Sequence, residues 1–432
     1  MEILFDNKVW FLKRLRMFYS LSKVKNPKLA KQGKVSYEWA RTHMDILDNT
    51  LNRLKKSKPL KGVTIGFCLH ITKETSVLVM GAKELGANVA LCGGNPLTTQ
   101  DDIAAFLATQ GIHVYAWNGQ TNKEYDWCIE KVLSHKPSLI CDDGADMNVK
   151  VHFDKKFKSL NVLGSTEETT AGVTRVKAME KQGKLKYPVI IVNDADTKHM
   201  FDNRYGTGQS TIDGYLRAMG LLFTSKKIVV VGYGWVGRGV AERSRGMGGK
   251  VIVTEIDPVK ALEAHMDGFE VMPMSQAVKI GQIFITCTGM TSVIRKEHLL
   301  AMKDGAVVGN VGHFDVEIDT KFLLTKSKSV RKVRSSLDEC ILRNGKKIYL
   351  IGKGRLANLV AAEGHPPEVM AQSFSNQILS LLYILKNHKK MGKKTMIVPK
   401  EIDRQIAVDA LKAMNVKIDS LTKEQKKYAE SW

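Results

Sequence analysis

The chain of 432 residues has no apolar run near the ~20 residues that a bilayer-spanning helix needs. No membrane span is therefore expected. Its opening, MEILFDNKVWFLKRLRMFYS, mixes charges into apolar positions and lacks an unbroken apolar core or a small-residue cleavage site, so it does not read as a secretory signal. Residues 1–21 read instead as a basic extension. It is compatible with a short amphipathic helix on a membrane or partner, although a packed or frayed extension is the commoner outcome. Cysteine is scarce: there are six, none in a CxxC pair, and most lie in apolar runs such as TIGFC and SLIC. That argues against a disulfide framework or a zinc site and for buried, reduced thiols in a cytoplasmic protein, with no metal expected. Acidic residues are also short, 44 against 66 Lys and Arg, which leaves a formal net charge of +22. Such an excess attracts polyanions. Because it is spread along the chain without a nucleic-acid module, a solvated basic surface and no specific nucleic-acid partner are expected.

What is present is the composition of an α/β protein. With 44% apolar residues over this length, the chain can bury two substantial cores. Between residues 37 and 56, helical spacing puts Trp39, Met44, Leu47, Leu51 and Leu54 on one face. Short β-rich runs (VTIGFCLH, NVALC, HVYAW, SLICDDG) then alternate with amphipathic stretches, the pattern of a parallel sheet with crossover helices. Functional side chains should cluster past the carboxyl ends of those strands. A further strand is expected in YPVIIVNDADTK, followed by a helix over about 210–223. A second alternating region runs through KKIVVVGYGWVGRG, VIVTEID, QIFITCTG, AVVGNVGHFD and KIYLIGKGRLANL. The expected architecture is α/β with two doubly wound domains. A first domain over 22–210 is interrupted by a cofactor domain over 211–363 and resumes over 364–393. A charged, helical C-terminal segment over 394–432 follows.

The most informative stretch is IVVVGYGWVGRGVAERSRGMGGKVIVTEID. A GxGxxG alone is weak, but here a β-branched strand precedes it, a helical pattern follows, and a second strand ends in the acidic Glu255. Gly232 permits the tight turn, Gly234 lets backbone approach a pyrophosphate, and Gly237 allows close helix–strand packing. The free N–H groups at the helix start would bind the phosphates. Glu255 would accept from the adenosine ribose hydroxyls and repel a 2′-phosphate, which favours NAD over NADP. Arg238 in the loop could soften that preference.

The segments LHITKETSVL, NPLTTQDD, GSTEETTAGV, NDADTKHMFDNRYGTGQS, GYGWVGRG, VTEIDP, GNVGHFDVEID and GRLANLVAAEGHPPEVMAQSFSNQ resemble those of the adenosylhomocysteinase family, from about residue 22 to the C-terminus. The resemblance implies a tightly bound NAD, one per subunit. That NAD would transiently oxidise the ribose 3′-hydroxyl of S-adenosylhomocysteine, so that the C4′ proton is lost, homocysteine leaves, water adds and adenosine is formed. It implies a catalytic set of Asp143, the proton abstractor at C4′; Lys198, Asp202 and Glu168 on the ribose hydroxyls; and His70 and His313 near C5′. A lysine at the 3′-oxygen needs its pKa lowered by burial or charge, and the two histidines should sit near neutral pH. Thr72, Glu74, Thr98, His365 and Met370 complete the implied substrate pocket. The implied NAD contacts are Thr169, Thr170, Ala171, Asn203, Gly232, Gly234, Trp235, Val236, Gly237, Arg238, Gly239, Glu255, Thr288, Gly289, Val311, Gly312, His313, Asn358 and His365. A homotetramer is implied as well, with hinges near 210 and 364.

Some positions depart from the family pattern. Ala171 stands where a third Thr is common, Thr207 where many relatives have Cys, and Thr98 where Ser is common. The chain ends LTKEQKKYAESW rather than in the Lys…Tyr tail that reaches a neighbour's NAD, so looser cofactor retention is expected. Three other readings stay open: an S-inosylhomocysteine hydrolase, a non-catalytic NAD-binding regulator, and a nucleic-acid binder resting on charge alone. Each polar residue, taken singly, also has an ordinary account. His365 could be a turn residue, Asp202 a helix cap, Lys198 a surface lysine and His70 a core histidine.

Overall fold

Two eight-stranded sheets organise the chain. The computed structural model describes residues 22–432, and the basic extension expected over 1–21 lies outside them. The first sheet contains β1 (Lys23–Val24), β2 (Thr64–Leu69), β3 (Asn88–Gly93), β4 (His113–Ala116), β5 (Leu139–Asp142), β6 (Gly164–Glu167) and β7 (Val189–Ile191). The second contains β8 (Lys227–Val231), β9 (Lys250–Thr254), β10 (Glu270–Val271), β11 (Ile283–Thr286), β12 (Ala306–Asn310), β13 (Ser329–Arg334), β14 (Leu337–Ile341) and β15 (Lys347–Ile351). A last strand, β16 (Thr395–Ile397), returns to the first sheet beside β7.

In the first sheet the order is β1-β4-β3-β2-β5-β6-β7-β16, with every pairing parallel. Its central strands β2, β3 and β5 are largely apolar, as suits a parallel sheet covered by helices on both faces. In the second sheet the order is β10-β9-β8-β11-β12-β15-β14-β13. It is parallel as far as β15 and ends in the antiparallel pairs β15–β14 and β14–β13. That hairpin edge did not stand out in the sequence. β13 (SVRKVR) is exposed along its whole length, and its charges suit an edge strand.

The helix Thr207–Met219 carries the chain from the first sheet to the second and buries Ile212, Tyr215, Ala218 and Met219 in the second core. The 25-residue helix Pro367–Met391 brings it back, packing Phe374, Ile378, Leu381 and Ile384 into the first core. Two local expectations are corrected. The 37–56 stretch is two helices, Ala30–Arg41 and Asp45–Lys55, broken where Met44 leaves helical geometry. Met44, Leu47 and Leu51 are buried, but Trp39 lies on the other side of the break, 60% exposed, with its ring centroid 4.4 Å from that of His43. The segment from 394 begins not as helix but as β16, because TMI is a short β-branched edge that β7 can pair.

Candidate active site

Each sheet reverses its strand order once beside its first long strand, between β2 and β5 in one and between β8 and β11 in the other. Chains diverge there and leave a crevice beyond the carboxyl ends of the strands. The two crevices join in a single cleft of about 1280 Å³ lined by residues from both sheets.

On the side of the first sheet, β2 delivers His70, β5 delivers Asp143 and β6 delivers Glu168, each as the first residue past its strand. The opposite wall is a π-helical turn, His199–Gly206, preceded by the short helix Asp196–Lys198. Widening of the helix there groups Lys198, Asp202 and Asn203 on the cleft side, the kind of local distortion that recurs at functional sites.

Lys198 is the hub. Its Nζ donates to Asn203 Oδ1 at 2.7 Å and lies 3.0 Å from Asp202 Oδ2 and 3.4 Å from Glu168 Oε1. Burial alone would push its pKa down. The carboxylates of Asp202, Glu168 and Asp143 outweigh that and hold the ammonium above its ordinary range. The lowered value expected from the sequence is thus reversed, because three acids surround one base. Asp202 is itself held well below the carboxylate range: Lys198 and His365 more than offset the burial penalty. It also pairs with His365 Nδ1 and accepts from Ser373 Oγ at 3.0 Å. Glu168 is pushed up to about 7, chiefly by burial and against the pull of Lys198, and it accepts from Gln377 Nε2.

Asp143 sits between two histidines, with Oδ2 3.5 Å from His70 Nε2 and Oδ1 3.4 Å from His313 Nδ1. Burial raises its pKa. Burial also lowers His70 to about 3 and His313 to about 4, so both rings are neutral at physiological pH rather than near-neutral titrators as expected. His70 Nδ1 is fixed by Thr98 Oγ1 at 2.7 Å. His313 Nε2 is buried without a partner. Gly144, at φ +96°, is what lets His313 approach: a Cβ there would stand 2.4 Å from Nε2. The ligand atoms of His70, Asp143 and His313 all fall within 4.8 Å of one another, so this cluster has the spacing to accept a cation, which the sequence spacing did not suggest.

Glu74 lines the inner end. It is buried, its pKa is raised by that burial, and Lys73 Nζ lies 3.2 Å from its Oε1. Thr72, His365 and Met370 line the cleft with it. Thr98 does not; its Oγ1 instead bonds His70 Nδ1.

On the side of the second sheet, the glycine turn opens the helix Trp235–Gly246. Gly232 has φ +96°, and a Cβ on Gly237 would stand 1.9 Å from the Gly232 carbonyl oxygen, so the turn closes only because that residue is glycine. Nothing lies within 4 Å of a Cβ on Gly234, which leaves the backbone open on the cleft side. Glu255 accepts the Tyr233 N–H at 2.6 Å and the Ile256 N–H at 2.7 Å while still lining the cleft. Trp235, Val236, Thr288, Gly289, Val311, Gly312, Asn358, Thr169, Thr170, Ala171 and Asn203 line it too. Gly237, Arg238 and Gly239 do not. Arg238 is turned away to Glu263 and the Trp235 ring, and a Cβ on Gly239 would meet the Arg204 carbonyl. The residues fit a dinucleotide: an open glycine turn, a carboxylate at the end of β9, and the orphaned, buried Asn358 Oδ1, an acceptor suited to a carboxamide.

Several supports escaped the sequence reading. Glu317 accepts from the N–H groups of Thr288 and Gly289 and from Thr288 Oγ1, and Glu167 accepts the Gly144 N–H at 2.8 Å. Ser373 and Gln377 lie four residues apart on the buried side of the helix, in a polar run (QSFSNQ) whose presence amid apolar residues is the signal that could have flagged them.

Family comparison decides the lineage. Residues 203–364 match the model "S-adenosyl-L-homocysteine hydrolase, NAD binding domain", and residues 21–163 match "S-adenosyl-L-homocysteine hydrolase". The chain belongs to the S-adenosyl-L-homocysteine hydrolase family. It is 54% identical over 411 residues to an adenosylhomocysteinase of Saccharolobus solfataricus, covering 95% of this chain and 98% of that relative. It is 55% identical over 410 residues to the adenosylhomocysteinase of Sulfurisphaera tokodaii, with the same coverage. An S-inosyl-L-homocysteine hydrolase of Methanocaldococcus jannaschii is 53% identical over 409 residues, again covering 95% and 98%. NAD is this hydrolase family's cofactor, and the domain that binds it is present here.

Proposed function

We propose that the protein catalyses the reversible hydrolysis of S-adenosyl-L-homocysteine to adenosine and L-homocysteine. The observation that carries this reading is the continuity of the cleft: the Lys198–Asp202–Glu168 cluster and the His70–Asp143–His313 cluster open directly onto the dinucleotide turn. When bound, NAD would supply the acceptor for a hydride from the ribose 3′-carbon and return it later in the cycle. Lys198 Nζ, held as an ammonium, donates to the 3′-oxygen and stabilises negative charge on it. Glu168, with its carboxyl at about 7, takes up a ribose hydroxyl proton. Asp143, made more basic by burial, removes the C4′ proton. The neutral imidazoles on either side of Asp143 relay a proton to the departing sulfur and orient the incoming water. Closure of the cleft would exclude bulk water while the oxidised sugar is present.

Glu74 favours adenine over hypoxanthine. Its carboxylate would accept from an exocyclic amino group and repel a carbonyl at the same place. Boundaries at 22–210, 211–363, 364–393 and 394–432, a homotetramer, a cytoplasmic location, and one tightly held NAD per subunit belong to the same reading. Sheet membership supports the division between 22–210 and 211–363, while β16 at Thr395–Ile397 pairs with β7 and ties the start of the 394–432 segment to the first domain; the homotetramer, the location and the NAD stoichiometry rest on the family resemblance. The test is release of free thiol from S-adenosylhomocysteine by purified protein supplied with NAD, run beside S-inosylhomocysteine at equal concentration. No thiol from either substrate, or full activity in Lys198→Ala, would sink the proposal. A clear preference for the inosyl substrate would replace it with the inosyl reading.

A further inference from the structure

Lys73 opens the helix Lys73–Glu84, next to the Glu74 that lines the cleft, yet does not itself line it. Its Nζ lies 3.2 Å from Glu74 Oε1 and donates to Glu363 Oε2 at 2.9 Å. Glu363 belongs to the short segment between the Ala357–Val360 and Pro367–Met391 helices, where the chain leaves the second sheet for the first. Gln100 makes a second tie across the same gap. Its Oε1 accepts the Lys73 N–H at 2.9 Å and its Nε2 donates to the Glu363 carbonyl at 3.3 Å. Two residues on, His365 pairs with Asp202 and bonds Asn358 at 3.1 Å. A single ammonium thus joins the base end of the cleft to the crossover that also carries a ribose-side contact.

We propose that Lys73 is a positioning residue for purine recognition: shared between Glu74 and Glu363, it holds the Glu74 carboxylate beneath the base and ties the base subsite to the crossover segment. The inference rests on the adenine reading of Glu74 given above. The charged groups at this place are Lys73 and Glu74 on one helix, Glu363 on the crossover, and Arg217 on the helix Thr207–Met219, whose charge reaches Glu363. Burial pushes Glu74 up, and Lys73 is the chief influence pulling it down. Without Lys73 the carboxyl rises further and is protonated more readily as pH falls. A protonated carboxyl loses an acceptor for the amino group of adenine and gains a donor for the carbonyl of hypoxanthine.

The test compares wild type, Lys73→Met, Lys73→Gln, Lys73→Arg and Glu74→Gln on the S-adenosyl and S-inosyl substrates from mildly acidic to mildly alkaline pH. In Lys73→Met the ratio of kcat/KM for adenosyl over inosyl falls by roughly tenfold, the scale of one buried charge-assisted hydrogen bond. Its KM for the adenosyl substrate rises as pH falls, while kcat changes little. Lys73→Gln shifts the ratio in the same direction, and Lys73→Arg restores it. An unchanged ratio and pH profile in both Lys73→Met and Lys73→Gln, beside a changed ratio in Glu74→Gln, overturns the role of Lys73 and leaves the base reading standing. An unchanged ratio in Glu74→Gln overturns both.

Discussion

Replacing Lys198 with Met keeps the length of the side chain and removes the only ammonium among the described residues that faces Asp202, Glu168 and Asp143 together. At an effective dielectric of about 20, unit charges at the observed 3.0 Å attract by roughly 5 kcal/mol, and the Glu168 pair is only slightly weaker. Desolvation offsets much of this in the intact cluster. The variant still pays that penalty for the acids without the compensating charge, a situation that typically costs about 3–5 kcal/mol. Protonation of Glu168, already at about 7, relieves part of the loss, so the low end of that range is expected near neutral pH. The sign with pH follows. Loss of Lys198 raises the folded-state values of all three acids, and a raised carboxyl contributes stability at low pH that disappears as pH rises through its folded value. The deficit should therefore be smallest in mild acid and grow toward alkaline pH. Denaturant unfolding of wild type and Lys198→Met across that range, with separate transitions for the two sheets if they resolve, measures it. A variant as stable as wild type at alkaline pH, or a deficit that grows toward acid, would refute the electrostatic account.

Three other outcomes are expected. Gly237→Ala should weaken NAD binding by at least roughly tenfold, because its Cβ would stand 1.9 Å from the Gly232 carbonyl; calorimetric titration with NAD giving a wild-type Kd would show that the turn yields freely. His70 is held at about 3 in the folded chain, so the unfolded chain takes up its proton near pH 6.5 while the folded chain does not. The stability of wild type relative to His70→Asn should then fall below pH 6.5 by about 1.4 kcal/mol per pH unit, and a constant difference in denaturation experiments would contradict the neutral buried ring. Gln377→Leu removes a donor that lowers Glu168, so the acidic limb of kcat/KM should move to higher pH; an unmoved limb would dissociate Glu168 from the proton uptake proposed for it.

The parts of the fold that were legible in advance are those where local pattern and global packing agree. The continuous apolar strands β2, β5, β8 and β12 are buried on both faces, and their sequence carries no competing signal. Where pattern and packing diverge, the sequence misled. Trp39 has the right helical phase to join Leu47 and Leu51, but the chain breaks at Met44 and the ring ends up in solvent. β16 owes its pairing to β7, some two hundred residues earlier in the chain, while β13 and β14 are a local hairpin whose charged, exposed edge carries no apolar alternation to announce it. Asp143, Glu168, Lys198 and the glycine turn were identifiable because they lie in unbroken family motifs just past strands. Ser373 and Gln377 lie in such a motif too, but what they bond was not legible, because their partners are 171 and 209 residues away.

By itself the sequence determined that this protein binds a dinucleotide through Gly232, Gly234 and Gly237, on an α/β scaffold, with a particular set of acids, histidines and one lysine at hand. Those are properties of residue type and local spacing: a turn that closes only on glycine, and strands that can only be interior. The tertiary structure alone decided their protonation. It surrounds Lys198 with three carboxylates and so raises it, and it buries His70 and His313 and so neutralises them. A pKa depends on which charges and how much water lie within a few ångströms, and here that neighbourhood is assembled from separate strand ends and turns spread from His70 to His313.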